Sequence, residues 1–102
     1  MDRLKEYFRN TDVATLALPS NIAYGTPIFT RGAVEILRRT DTEVEAWAGG
    51  LNGTLKEGAG SRRRVHMSVE GGQLRWHCTG NPKTHDIFCK HCVAVALFLK
   101  SQ

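Results

Sequence analysis

Apolar residues recur at helical spacing near the start of the chain. Leu4, Tyr7 and Phe8 lie three and four positions apart. A helix over residues 2–9 would therefore place all three side chains in one apolar stripe that needs a partner surface.

The next apolar residues do not continue this pattern. Between residues 16 and 29 they are interrupted by Pro19, Gly25 and Pro27, a composition that favours an irregular segment with at most short strands. We therefore expect residues 1–30 to form an N-terminal helix and an irregular segment that pack on the domain formed by residues 31–102.

Strand-like runs follow. Residues 34–39 and 43–48 are separated by a short polar segment and predict a hairpin whose register the sequence leaves open. Residues 62–69 and 73–78 predict a second hairpin, because Gly71 and Gly72 between them suit a two-residue turn.

The register of the second hairpin follows from its turn. Counting outward from the two glycines pairs apolar with apolar positions on one face and polar with polar positions on the other. The apolar pairs are Val69 with Leu74, Met67 with Trp76, and Val65 with Cys78. Since side chains alternate across a strand, Cys78 is predicted to lie on the core side at the end of its strand.

A helix is predicted at the C-terminus, from residue 87 or 89 to residue 100, with Asp86 as a candidate N-cap. Its apolar residues lie on every face, so it needs cover from more than one direction, by the sheet and by the N-terminal helix or a second subunit. The predicted fold class is α+β: a small antiparallel β-sheet of two hairpins followed by a C-terminal helix.

Composition agrees with one small globular domain, since the chain has 102 residues, of which 41% are hydrophobic and 24% charged. The apolar run over residues 92–99 is too short to cross a bilayer. No apolar stretch near the N-terminus resembles a signal peptide. We therefore expect an intracellular protein, cytoplasmic or in the nucleoid or nucleus, where disulfides are uncommon.

The positive charge is unevenly distributed. Eight basic and three acidic residues fall within residues 49–102, which accounts for the whole net charge of +4. This excess is compatible with a polyanionic partner such as nucleic acid, although a solvated surface is the alternative. The candidate nucleic-acid-binding residues are Arg62, Arg63, Arg64, Arg75, Lys83 and Lys90.

The cysteines suggest metal chemistry. Cys78 ends a predicted strand, and Cys89 and His91 open the predicted C-terminal helix. Zinc takes about four nitrogen or sulfur ligands, and a helix N-terminus favours the thiolate form of Cys89. The alternative is that the cysteines are small buried apolar residues.

Residues 31–99 resemble the SWIM zinc-finger family. That family has two cysteines one residue apart, a variable gap, and then Cys-x-His opening an apolar helix, after strands that often follow Arg-Gly. Here Arg31-Gly32 precedes the hairpins, and the motif is matched by Trp76-His77-Cys78-Thr79-Gly80 and by Phe88-Cys89-Lys90-His91-Cys92-Val93-Ala94. Gly80 stands where the family has its second cysteine.

The fourth ligand is therefore open. We favour His85, which lies in the polar loop between Cys78 and Cys89. Cys92, solvent, Asp86 and the loss of the metal are the alternatives. His77 is disfavoured, because it neighbours Cys78 and should point to the opposite face of the strand.

The resemblance implies a binding module with a structural zinc ion. SWIM domains are associated with DNA binding and with protein interaction, so the resemblance implies nucleic-acid binding through a basic face, with DNA favoured over RNA, as the first hypothesis. The alternative is a protein-interaction adaptor or subunit, such as a homodimer, that uses the apolar C-terminal helix. We do not expect an enzyme, because neither Glu57 nor Glu70 is placed as a general base.

Overall fold

A computed structural model describes residues 3–49, 63–78 and 88–101. Within these stretches the helices are α1 (Arg3–Asn10), a 3₁₀ turn (Val13–Thr15), α2 (Pro19–Thr30) and α3 (Lys90–Ser101), and the strands are β1 (Val34–Arg39), β2 (Glu43–Ala48), β3 (Arg63–Glu70) and β4 (Gln73–Cys78). The strands form one antiparallel sheet in the order β1-β2-β3-β4. The predicted α+β fold of two hairpins and a C-terminal helix is confirmed.

The second hairpin has the predicted register. Val65 lies opposite Cys78, and Met67 lies opposite Trp76. Gly71 and Gly72 have φ values of 57° and 80° in the turn, a conformation that glycine adopts without steric cost. In the first hairpin the pairing shifts between Ile36 and Arg38, which explains why the sequence did not fix its register.

The inner face of the sheet forms one wall of the core. Its buried residues come from β2, β3 and β4, and they are Val44, Ala46, Ala48, Val65, Met67, Val69 and Cys78. The outer face of the second hairpin is polar as predicted, although Ser68 on that face is only 8% exposed. Cys78 therefore faces the core, as expected.

Residues 19–30 form α2, and our prediction of an irregular segment between residues 16 and 29 was wrong. Pro19 occupies the first turn of the helix, where no backbone N–H is needed, and Pro27 lies near the C-terminal end. Ile22 and Phe29 pack against the core. Burial of this face outweighs the poor helix propensity of the segment.

Gly25 is the point of closest approach between α2 and α3. A Cβ atom at this position would lie 2.6 Å from the Lys90 carbonyl oxygen and 2.7 Å from the Val93 Cβ. Such distances are too short for non-bonded atoms. The missing side chain of Gly25 therefore allows α2 to press directly on the first turn of α3.

α3 is covered from several directions, as its sequence predicted. α2 packs along it, while the sheet and α1 contact its other sides. Its buried residues are Cys92, Val93, Ala94, Val95, Ala96 and Leu99. Leu4 and Phe8 of α1 join the same core. The helix begins at Lys90, and the candidate N-cap Asp86 lies outside the described residues.

Gly25→Ala should destabilise the fold by about 1–3 kcal/mol, because the new methyl group overpacks the contact with Lys90 and Val93. This loss opposes the gain of about 1 kcal/mol that alanine usually brings to a helix. Denaturant unfolding at a fixed zinc concentration measures the difference. The control is Tyr24→Ala on the same helix, where the side chain is 67% exposed. Equal unfolding midpoints for Gly25→Ala and the unaltered chain would contradict the close-contact argument.

Candidate metal centre

Three predicted ligands meet between the sheet and the last helix. Cys78 is the final residue of β4, Cys89 immediately precedes α3, and His91 lies in the first turn of α3. The Sγ atoms of Cys78 and Cys89 lie 3.7 Å and 3.9 Å from the Nδ1 atom of His91. The three donor atoms all lie within 4.8 Å of one another.

These spacings fit a zinc ion. Bonds of about 2.3 Å to sulfur and about 2.0–2.1 Å to nitrogen at tetrahedral angles separate sulfur from nitrogen by about 3.6 Å. The two sulfur–nitrogen distances of 3.7 Å and 3.9 Å are close to this value. The group formed by Cys78, Cys89 and His91 is thus suited to hold a metal ion.

An aromatic contact holds together the two segments that carry these donors, the end of β4 and the start of α3. The rings of Trp76 and Phe88 meet edge to face at 5.2 Å between centroids. Trp76 lies two residues before Cys78 on the same face of β4, and Phe88 immediately precedes Cys89. This contact ties the end of β4 to the residue before the second ligand and agrees with the prediction that Trp76 points inward.

The electrostatics of the site favour a thiolate at Cys89. Hydrogen bonds with the side chains of Cys78 and Cys92 lower the pKa of the Cys89 thiol well below its usual range. The Cys89 carbonyl accepts the first backbone hydrogen bond of α3 from Val93, so its side chain lies at the positive end of the helix. Contacts with Cys78 and Cys89, together with burial, raise the pKa of Cys92.

The remaining candidate ligands fall into two groups. His85, our preferred fourth ligand, lies outside the described residues together with Gly80 and Asp86, and its role stays a prediction. His77 is exposed on the outer face of the sheet, directly opposite His66. The argument that its strand position points it away from the metal site is confirmed.

The candidate nucleic-acid-binding arginines on the outer face form ion pairs. The Arg64 Nη2 atom lies 2.9 Å from the Glu45 Oε2 atom, and the Arg75 Nε atom lies 3.8 Å from the Glu70 Oε2 atom. The hydrogen bond with Arg64 also lowers the pKa of Glu45. This face therefore carries mixed charge rather than a continuous basic surface.

Of the other candidate basic residues, Lys90 is exposed and Arg63 is half-buried, while Arg62 and Lys83 lie outside the described residues. Arg63 begins β3 at the end of the sheet where β4 finishes at Cys78. Lys90 is the first residue of α3. Both are therefore at the end of the fold that carries the metal-ligating group.

Sequence reasoning missed the contribution of Gly25 to the site. Gly25 contacts Lys90 and Val93, which flank His91 in the first turn of α3. The available signal was the spacing of Ile22, Gly25 and Phe29, which matches one face of a helix. We gave more weight to the prolines than to this spacing.

Comparison with known proteins adds no relatives: no family model, curated protein or solved structure matches this chain. The resemblance to the SWIM family therefore rests on the residues quoted above and stays a prediction. Among the residues that the structure describes, no helix has the length and apolar character that crossing a membrane requires.

His91→Ala should weaken zinc binding by at least about 100-fold. Residues that only hydrogen-bond to a metal ligand already contribute about 10–100-fold to metal affinity, and a ligand itself contributes more. Competition against a chromogenic zinc chelator gives the affinity. His77→Ala is the matched control, because His77 is exposed on the opposite face from Cys78. If both variants bind zinc equally well, His91 is not a ligand.

Proposed function

We propose that this chain is a small binding module whose fold is stabilised by a structural zinc ion held by Cys78, Cys89 and His91. One observation supports it most strongly: donors from β4, from the residue before α3 and from α3 converge at ligand spacing. Zinc bound there would cross-link the sheet to the last helix. The soft sulfur and nitrogen donors suit zinc better than magnesium or calcium.

Burial favours a structural role over a catalytic one. Cys78 and Cys89 are 3% and 5% exposed, so substrate access to a metal between them is restricted. Glu70, considered above as a general base, is ion-paired with Arg75 at the turn between β3 and β4. We therefore propose no reaction for the site.

The partner we propose is nucleic acid, in keeping with the SWIM resemblance. The surface that supports this proposal is the metal-bearing end of the fold, with Lys90 exposed and Arg63 beside it. Arg64 and Arg75 contribute less in this proposal, because their charges are matched by Glu45 and Glu70. Lysine and arginine side chains at this end would contact phosphates without reading the base sequence.

The alternative, a protein adaptor that uses the apolar C-terminal helix, has weaker support. Most of the apolar residues of α3 are buried in the core of this chain. Within residues 3–49, 63–78 and 88–101, the large apolar side chains that stay exposed lie outside α3, at Leu18, Tyr24 and Leu37. An adaptor would therefore need a surface other than the buried faces of α3.

Zinc analysis of the natively purified protein should give about one zinc per chain. Chelation should then lower the free energy of unfolding by about 4 kcal/mol relative to protein held at zinc concentrations of about 1,000 times Kd. Added Zn²⁺ should restore stability and Mg²⁺ should not. Cys89→Ala serves as the control, because its stability should not respond to the chelator. Unchanged stability of the unaltered chain after verified zinc removal contradicts a structural role.

Fluorescence anisotropy with labelled duplex DNA at low salt tests the partner. Lys90→Gln should weaken binding and reduce the slope of log K against log salt by about 0.9, the value of one phosphate contact. Arg75→Gln is the control and should have a smaller effect, because Glu70 already neutralises Arg75. Failure of the zinc-loaded chain to bind duplex DNA, single-stranded DNA or RNA at low salt would refute nucleic-acid binding and leave the adaptor.

A further inference from the structure

Cys92 lies against the metal-ligating group and is fully buried. We propose that Cys92 is the fourth ligand, so that Cys78, Cys89, His91 and Cys92 form a Cys₃His zinc site. This inference rests on the proposed zinc binding, but it assigns a residue that the group of three does not contain. In this proposal Cys92, and not His85, completes the zinc site.

The distances are those of neighbouring ligands. The Sγ atoms of Cys89 and Cys92 lie 3.7 Å apart. Two zinc-bound sulfurs with bonds of about 2.3 Å at a tetrahedral angle are separated by about 3.8 Å. The Cys89 and Cys92 sulfurs are thus placed as two donors of one ion would be.

Three of the six donor–donor distances of a tetrahedral site are close to ligand spacing. They are the two sulfur–nitrogen distances of His91 and the sulfur–sulfur distance between Cys89 and Cys92. The Cys78 and Cys89 sulfurs also lie within 4.8 Å of each other. The Cys92 sulfur does not lie within 4.8 Å of all three other donors, so it must shift toward them as the metal binds.

The helix geometry lets adjacent residues reach one ion. Side chains at neighbouring helical positions diverge around the axis by about 100°. However, every Cα–Cβ bond tilts toward the N-terminus of the helix, so side chains of the first turn extend toward an ion that lies beyond that end. Cys89 lies at that end, and His91 and Cys92 belong to the first turn of α3. An ion beyond the end of the helix is therefore within reach of all three.

The local charges suit three thiolates. A Cys₃His zinc site carries one net negative charge, which the positive end of a helix stabilises. Lys90, the first residue of α3, adds a positive charge next to the site. The four donors of this set come from the end of β4, from the residue directly before α3 and from the first turn of α3.

X-ray absorption spectroscopy of the zinc-loaded, unaltered chain tests the assignment directly. We expect three sulfur ligands at about 2.3 Å and one nitrogen ligand at about 2.0–2.1 Å. Two sulfurs with two nitrogen or oxygen ligands would overturn Cys92 while leaving zinc binding intact. Failure to bind stoichiometric zinc would overturn the proposed function and this inference together, so the two failures are distinguishable.

Substitutions provide an independent readout with Co²⁺ in place of zinc. Cys92→Ser should remove the sulfur-to-cobalt charge-transfer intensity of one of three Co–S bonds and weaken zinc affinity by at least about 10-fold. His77→Ala, on the opposite face of β4, is the matched control and should leave both unchanged, while His85→Ala tests the competing assignment. Loss of the nitrogen contribution in His85→Ala with an unchanged spectrum in Cys92→Ser would overturn the proposal. If Cys92→Ser does not fold, the spectrum of the unaltered chain decides.

Discussion

The site depends on one constraint: α3 carries apolar residues on all sides and must be covered on all of them. The sheet, α1 and α2 together provide this cover. The position of α3 is therefore set by burial of the residues between Cys92 and Leu99. Its first turn is held at Gly25, where the backbone of α2 approaches the Lys90 carbonyl. The hydrophobic core thus sets the position of His91, the candidate ligand on α3.

The same core fixes the third donor through the register of the second hairpin. Because side chains alternate along a strand, a shift of one residue would turn Cys78 outward and His77 inward. The same shift would also expose Val65 and Met67, which are fully buried. The register that buries these residues therefore also places Cys78 beside Cys89 and His91. Core packing and the geometry of the candidate site are consequences of one register.

The parts of the fold that the sequence predicts are those governed by local interactions. The register of β3 and β4 follows from a turn of two glycines and an alternating pattern, and it is correct. α2 was missed because we gave its prolines more weight than the helical spacing of its apolar face, and the packing of that face on α3, which favours the helix despite Pro27, is not visible in the sequence. The pairing of β2 with β3 joins residues distant in the chain. The ion pair between Arg64 on β3 and Glu45 on β2 could not be predicted from the sequence, because it depends on that long-range pairing.

In the candidate site, too, some residues could be predicted from their spacing in the sequence and others only from their positions in the fold. The spacing of Cys78, Cys89 and His91 indicated three ligands, and the structure brings them together. From the sequence, Cys92 was one of several alternatives to His85 for the fourth ligand. The structure places its sulfur 3.7 Å from that of Cys89, because both lie at the start of α3. Whether neighbouring residues can share an ion depends on where the ion lies relative to the helix axis, which spacing alone does not specify.

Packing three thiols together also couples metal binding to protons. Hydrogen bonds from Cys78 and Cys92 lower the pKa of Cys89, while its neighbours and burial raise the pKa of Cys92. Because the thiolate and not the thiol is the metal ligand, the affinity of a metal bound at these cysteines would fall as pH falls and protons compete for the sulfurs. Since the candidate ligands come from β4 and from the start of α3, that competition would also act on a link that a metal makes between the sheet and the helix.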